Sequence, residues 1–254
     1  MLLALDVGNT QTVVGLYDGE TLADHWRTTT VRTHTGDELA LMLVGLLELR
    51  GRALSAIDAI VVASSVPQLA VEYAAMSREH LGEEALVVGP GVRTGVALRV
   101  DNPLEVGPDR VANSVAAYAQ FGGPCIVVDF GTAINFDVVS AAGDFIGGAI
   151  APGLQVALDA LGDRAARLQK VELVAPAHAI GTNTNTNVQS GAVFGWAGLV
   201  DGLVRRFRAE LGSEATTVAT GGLAALVAPH CETVQHVEPW LTLQGLRLIH
   251  ERNT

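Results

Sequence analysis

Leu2-Leu3-Ala4-Leu5-Asp6-Val7-Gly8-Asn9-Thr10-Gln11-Thr12-Val13-Val14-Gly15-Leu16-Tyr17 is the stretch whose reading decides the fold. Leu2–Leu5 fits a buried strand, Asp6–Thr10 a turn and Val13–Tyr17 a second strand. Asp18-Gly19 then has the form of a two-residue hairpin connection between apolar runs. Gly8 lets the backbone approach a ligand closely, Asn9 and Thr10 bring short donors, and successive amides can wrap an anion. Asp6, leaving the end of a buried strand, is placed to face a magnesium ion held by such a phosphate. Taken alone, the same residues also fit a plain hairpin with a polar turn.

A second copy changes the balance. Asp129-Phe130-Gly131-Thr132-Ala133-Ile134-Asn135-Phe136-Asp137 again follows an apolar run, Cys125–Val128, and again leads into an apolar stretch and a glycine turn near Gly143. A third element, Val218-Ala219-Thr220-Gly221-Gly222, reads as a short strand ending on paired glycines ahead of an alanine-rich helix. The repeat is weak in letters but consistent in order, and repeats organise a fold. This arrangement resembles the two phosphate loops and the adenosine loop of the acetate and sugar kinase, chaperone and actin superfamily. The resemblance implies an α/β, duplicated ribonuclease H-like (actin-like ATPase) fold, two similar halves with ATP in a central cleft. The halves are expected at residues 1–115 and 116–254, with the C-terminal helix packing back on the first.

The 254 residues can bury a substantial core, and 49% hydrophobic against 17% charged residues argues for a globular protein over disorder. Net charge is −11, from 27 acidic and 16 basic residues, which disfavours nucleic-acid and anionic-membrane partners. Lys170 is the only lysine, so no Gly-Lys-Ser/Thr phosphate loop is possible. Two cysteines, Cys125 and Cys231, form neither a disulfide framework nor a Cys-x-x-Cys metal spacing. A reducing cytoplasm is the expectation, and Cys125 is expected to be a buried strand residue. The first strand begins without a basic leader. Apolar runs at Leu39–Leu47 and Val188–Val204 are too short or too interrupted to span a bilayer. The histidines lack paired spacing, so no zinc site is expected.

After the hairpin, Glu20–Arg27 predicts a third antiparallel strand and Thr28–His34 a polar, mobile loop. Gly36 opens a buried helix that runs to about Arg50. Ile57–Ala63 and Ala85–Val88 read as strands with a helix between them. Strands and helices alternate from there, as an α/β fold requires. In Val106-Gly107-Pro108-Asp109-Arg110-Val111-Ala112-Asn113, Pro108 fits the first helical position and Gly107 the cap, which seats Asp109 in the first turn. The positive helix end favours an ionised Asp109, and simple dipole complementation accounts for its position equally well. Gly181–Asn187 reads as a polar run capping a long helix, Val188–Leu211, where a polar ligand or anion could be met. Gly191, Gly195, Gly198 and Gly202 on that helix fit close packing, inside the chain or across a homodimer seam.

Seven motifs sharpen the resemblance to one family. Asp6-Val-Gly-Asn-Thr10, Gly107-Pro-Asp-Arg110, Asp129-Phe-Gly-Thr-Ala133, Gly147-Gly-x-Ile-Ala-Pro-Gly153, Gly181-Thr-Asn-Thr184, Gln189-Ser-Gly191 and Ala219-Thr-Gly-Gly222 occur in the order seen in type III pantothenate kinases. Gly-Pro-Asp-Arg is the most telling of them. The resemblance implies ATP-dependent phosphorylation of pantothenate to 4′-phosphopantothenate, the first step of coenzyme A biosynthesis, with Asp109 as general base. It implies a pantothenate pocket lined by Gly107, Pro108, Asp109, Arg110 and Thr184. Asp6, Val7, Gly8, Asn9, Thr10, Gln11, Thr12 and Val13 would hold the ATP phosphates, and Thr132, Gly221 and Gly222 would contact the nucleotide. Asp6 would meet magnesium, directly or through water, and Asp129 a monovalent cation, K+ or NH4+. A cytoplasmic homodimer is implied as well.

Two residues depart from the family pattern: Thr182 where a basic residue is frequent, and Asn135 where threonine is common. A protein-kinase reading of Asp129-Phe-Gly131 fails for want of a His-Arg-Asp loop and a phosphate lysine. Two other readings stand beside the main one: a kinase for another small hydroxyl substrate, and a non-catalytic ATP-binding regulator.

Overall fold

The computed structural model describes residues 1–164 and 171–254. Its first part runs β1 (Leu2–Val7), β2 (Gln11–Asp18), β3 (Thr21–Thr29), α1 (Gly36–Glu48), β4 (Ala59–Ser64), α2 (Pro67–Met76), β5 (Leu86–Val87) and α3 (Pro108–Phe121). Then follow β6 (Cys125–Phe130), β7 (Ala133–Val139), β8 (Phe145–Pro152), α4 (Leu154–Arg164), α5 (Thr184–Leu211), β9 (Thr216–Thr220), α6 (Ala224–Val227), β10 (His236–Val237) and α7 (Leu241–Glu251). Two compact units result. One comprises Met1–Ala97, Asp101–Ala116 and Leu241–Thr254, the other Leu98–Val100 and Ala117–Trp240.

Each unit holds one five-stranded sheet, ordered β3-β2-β1-β4-β5 in the first and β10-β9-β6-β7-β8 in the second. In both, three sequential strands form an antiparallel meander, and the later two add in parallel beside the first of the three. The two strand orders are the same once β6 is matched to β1. The chain is thus a duplicated α/β fold, and each copy carries its glycine turn between its first two strands.

Alternation along β1 explains how the first unit fills. Leu3, Leu5 and Val7 join Leu39, Leu43 and Leu47 of α1 and Leu69, Tyr73 and Met76 of α2 in one buried cluster. Ala4 and Asp6 therefore point to the opposite face, where α7 packs on β1, β2 and β4. That face is lined by small residues because α7 comes close. A Cβ on Gly15 would lie 2.7 Å from the Leu243 side chain. On α7 itself, a Cβ on Gly245 would run into the Ala112 carbonyl of α3, and Thr242 Oγ1 bonds Asn113 Oδ1 at 2.8 Å. Hence α3 lies over α7, on the Asp6 side of the sheet.

In the second unit, Ile126, Val128 and Phe130 of β6 cluster with Phe136 of β7 and with Ala192, Ala197, Val200 and Val204 of α5. Cys125 is fully buried, and burial pushes its thiol up to about 12, as an inert strand residue requires.

Three expectations are corrected. The β2–β3 turn is Gly19-Glu20, between the paired Asp18 and Thr21, because Gly19 takes the positive φ of +58° that the first turn position needs. Helix α5 begins at Thr184, four residues earlier than Val188. Asn183 caps it by accepting the Thr186 amide at 3.0 Å, and Thr186 Oγ1 bonds back to the Asn183 amide. Finally, residues 28–34 are tied down: the Thr30 amide bonds the Thr10 carbonyl at 2.9 Å, and Thr30 Oγ1 meets Thr12 Oγ1 at 2.9 Å.

Candidate active site

In the first unit, β1 delivers Asp6 to the carboxyl end of its sheet, where Val7 pairs with Ser64 of β4. Ligands in open α/β sheets gather at this edge. The Gly8 amide bonds the Gln11 carbonyl at 3.0 Å and closes the turn; a Cβ on Gly8 would sit 2.9 Å from that same oxygen. Asn9, Thr10 and Gln11 are exposed at the tip, while Asp6 and Gly8 are half-buried. Thr12 is 2% exposed and bonded to both Thr30 and Tyr73, and burial raises the Tyr73 phenol to about 12. Thr12 therefore braces the turn from beneath, and Val13 is half-buried in the strand behind it.

Asp109 stands in the first turn of α3, as its sequence neighbourhood predicts. The Gly107 carbonyl accepts the Val111 amide at 3.2 Å, the first bond of the helix. A Cβ on Gly107 would collide with the Asp109 carboxylate oxygen, so glycine at this position leaves the carboxylate its seat. Burial raises the Asp109 pKa above its ordinary value. Hydrogen bonds from its own amide and that of Arg110, and the Arg110 charge, oppose the rise without cancelling it. A half-buried carboxylate that resists full solvation is suited to take a proton.

The second unit assembles a matching edge. Asp129 pairs with Asn135 across the hairpin and with Thr220 of β9, which brings the β6 end beside Gly221-Gly222. Gly221 has φ +91°, and a Cβ there would strike the Asp129 Oδ1. A Cβ on Gly153 would strike the Thr132 carbonyl, so the end of β8 packs against the second turn. Asp129, Thr132, Gly221 and Gly222 are thus gathered at one strand end, with carboxylate and backbone oxygens of the kind that suit a hard cation. Thr184 opens α5 and lines a cavity of about 420 Å3 with Leu158, Leu161, Asn187 and Trp196. A larger cavity, about 780 Å3, lies at the other end of α5 between Arg205, Arg208 and Glu232, and carries none of the expected site residues.

Sequence reasoning missed several supports of the first turn: Thr30, Tyr73, Ser65, whose amide bonds the Val7 carbonyl at 2.9 Å, and Arg32, which reaches Asn9. A hairpin register counted from Asp18 and Thr21 would have placed Thr28 opposite Gln11, one residue short of the actual partner Thr29, and so come close to finding the segment. Among the described residues, one group of three metal-type ligands comes within 4.8 Å: Asp37, Glu79 and His80, all exposed. Also among the described residues, no helix is long and apolar enough to cross a membrane.

The family model for type III pantothenate kinase matches residues 2–206. A protein of that name from Moorella thermoacetica is 50% identical over 254 residues, covering all of both chains. Another from Frankia alni is 54% identical over 255 residues, again over the full length of both. The fold is similar to that of the inorganic polyphosphate/ATP-glucomannokinase from Arthrobacter sp. strain KM, with a TM-score of 0.53 at 17% identity over 99% of this chain and 98% of that one. Asp6-x-Gly8, Gly107-Pro-Asp-Arg110 and Asp129-x-Gly131 thus sit in a chain related along its whole length to proteins of one name, and the chain belongs to the type III pantothenate kinase family.

Proposed function

We propose that the chain phosphorylates pantothenate with ATP, the first step of coenzyme A biosynthesis, and that Asp109 is the general base. Family membership makes it a pantothenate kinase that uses ATP; the division of labour among its residues is our reading. The observation that carries it is the Asp109 carboxylate, held in the first turn of α3 against Gly107 and made more basic by burial. The primary hydroxyl of pantothenate attacks the γ-phosphorus of ATP. The new P–O bond forms as the bond to the β-phosphate oxygen breaks, ADP departs, and the hydroxyl proton passes to Asp109.

Phosphoryl transfer through a loose transition state asks chiefly for positioning and charge neutralisation. In this reading Asp6 through Val13 hold the phosphates, and Thr132, Gly221 and Gly222 contact the nucleotide. Gly107, Pro108 and Arg110 contact the acceptor, and Thr184 is a further substrate-binding residue. Magnesium at Asp6 and K+ or NH4+ at Asp129 would supply neutralising charge. The Cβ-free space that Gly221 leaves beside Asp129 Oδ1 supports the second of these. The exposed Gly191, Gly195 and Gly198 on α5, with Gly202 in line, have nothing within 4 Å of their Cβ positions and support a homodimer seam there. A cytoplasmic enzyme fits the substrate and the two free cysteines.

Purified protein with magnesium, potassium and ATP, offered pantothenate and a panel of other small alcohols, tests this by mass spectrometry of the products. Phosphopantothenate is expected as the main product, with turnover falling when sodium replaces potassium. ATP consumption with a different acceptor only would overturn the assignment of substrate, and equal rates in sodium would remove the cation role of Asp129.

A further inference from the structure

We propose that Arg32 is a phosphate-contacting residue of this kinase, the cation that meets the ATP phosphates at the β1–β2 turn. The proposal rests on the reading that this turn holds those phosphates. Arg32 lies beyond β3, and its Nη2 donates to Asn9 Oδ1 at the tip of the turn, 3.0 Å away and 23 residues back in the chain. Its approach is built in. The Thr30 amide is bonded to the Thr10 carbonyl, Thr30 Oγ1 is bonded to the buried Thr12, and Thr12 is held in turn by Tyr73. The arginine is therefore carried to the turn by a braced segment, and little ordering remains to be done on binding.

Charge sets Arg32 apart from several of the other arginines. Arg52 is paired with Asp24, Arg99 with Asp144, Arg205 with Glu232 and Arg247 with Glu251. The contact of Arg32 is a neutral amide, which leaves its positive charge uncompensated at that point. One of its five N–H donors is engaged by Asn9, and the fork geometry of the rest matches phosphate oxygens. The need is plain: the turn follows Asp6, the chain carries −11 overall, and it has one lysine. Without Arg32, a polyphosphate reaching Gly8–Thr10 would rest on backbone amides, the short Asn9 and Thr10 donors and any magnesium held at Asp6.

The test is steady-state kinetics on the full chain with Arg32→Gln, Arg32→Lys, Asn9→Ala and Gly8→Ala, with ATP and pantothenate varied separately and inorganic tripolyphosphate as a competitive probe. One charge-assisted phosphate contact predicts that Arg32→Gln raises the KM for ATP and the tripolyphosphate inhibition constant by about 10–100-fold. The KM for pantothenate should stay close to the wild-type value. Arg32→Lys should recover part of the loss, and it carries the test if Arg32→Gln melts early. Asn9→Ala should cost clearly less than Arg32→Gln; equal costs would mean that Arg32 acts only by holding Asn9, and would overturn the proposal. Wild-type ATP and tripolyphosphate constants in Arg32→Gln, with Gly8→Ala impaired, would overturn it while leaving the turn as the phosphate site. Wild-type constants in both would overturn the site reading together with the proposal.

Discussion

Asp109 and Asp201 show how one residue type is set to opposite ends by its surroundings. Burial dominates at Asp109 and raises its pKa. Asp201 on α5 is 6% exposed, and burial pulls it upward too. There, however, the amides of Glu232 and Thr233 at 2.9 Å, the Thr233 hydroxyl at 2.7 Å and the Arg205 charge outweigh burial and lower it. Asp109 therefore costs stability once ionised, as a reacting group can, whereas Asp201 staples α5 to the segment before β10. Asp201→Ala should cost about 2–4 kcal/mol at neutral pH by stranding those donors. The sign with pH follows from the lowered folded value. The Asp201 contribution is complete above the unfolded pKa of about 4 and is lost as pH falls through the folded one. Melting curves of both proteins from neutral to acid pH should converge, and a gap that stays constant would contradict the assignment.

At the scale of elements, the central strands β1, β2, β4, β6 and β7 were readable because each holds an apolar run with a glycine or aspartate at or near its end, and this is local information. The Asp109 seat was readable for the same reason, since Gly107-Pro108 announces a helix start. What the sequence hid depends on pairing across distance. The placement of Thr30 and Arg32 beside Gly8–Thr10 follows from the β2–β3 register, including an irregularity at Leu16–Tyr17. The start of α5 depends on which of several Asn and Thr residues wins the capping contest, and Asn183 wins through its exchange with Thr186. Gly221 is the element-scale residue most exposed to test. At φ +91°, and with its Cβ position against Asp129 Oδ1 and the Phe130 backbone, Gly221→Ala should lower stability by about 1–3 kcal/mol. It should also weaken ATP more than pantothenate in KM. Unchanged melting and unchanged KM for ATP would show that the β9 end does not constrain this corner.

At the scale of the molecule, the same strand order built twice gives two strand-end turns from two independent cores. Each turn has its aspartate at the end of the unit's first strand, Asp6 or Asp129, and its glycine two residues on. Duplication thus places two similar polar corners in one chain, and in the proposed reading they take different tasks: Asp6 with the phosphates, Asp129 with a monovalent cation. The open glycine face of α5 predicts self-association. Gly195→Arg should shift the sedimentation profile from dimer to monomer, and a wild-type profile would place the seam elsewhere. The base assignment is tested most directly by the turnover of Asp109→Asn with saturating ATP, magnesium, potassium and pantothenate, followed as phosphopantothenate formed. The account predicts a folded protein with near-normal ATP binding, a melting temperature equal to or above wild type, and kcat lower by about 10²–10⁴-fold. Wild-type turnover in that variant would contradict it.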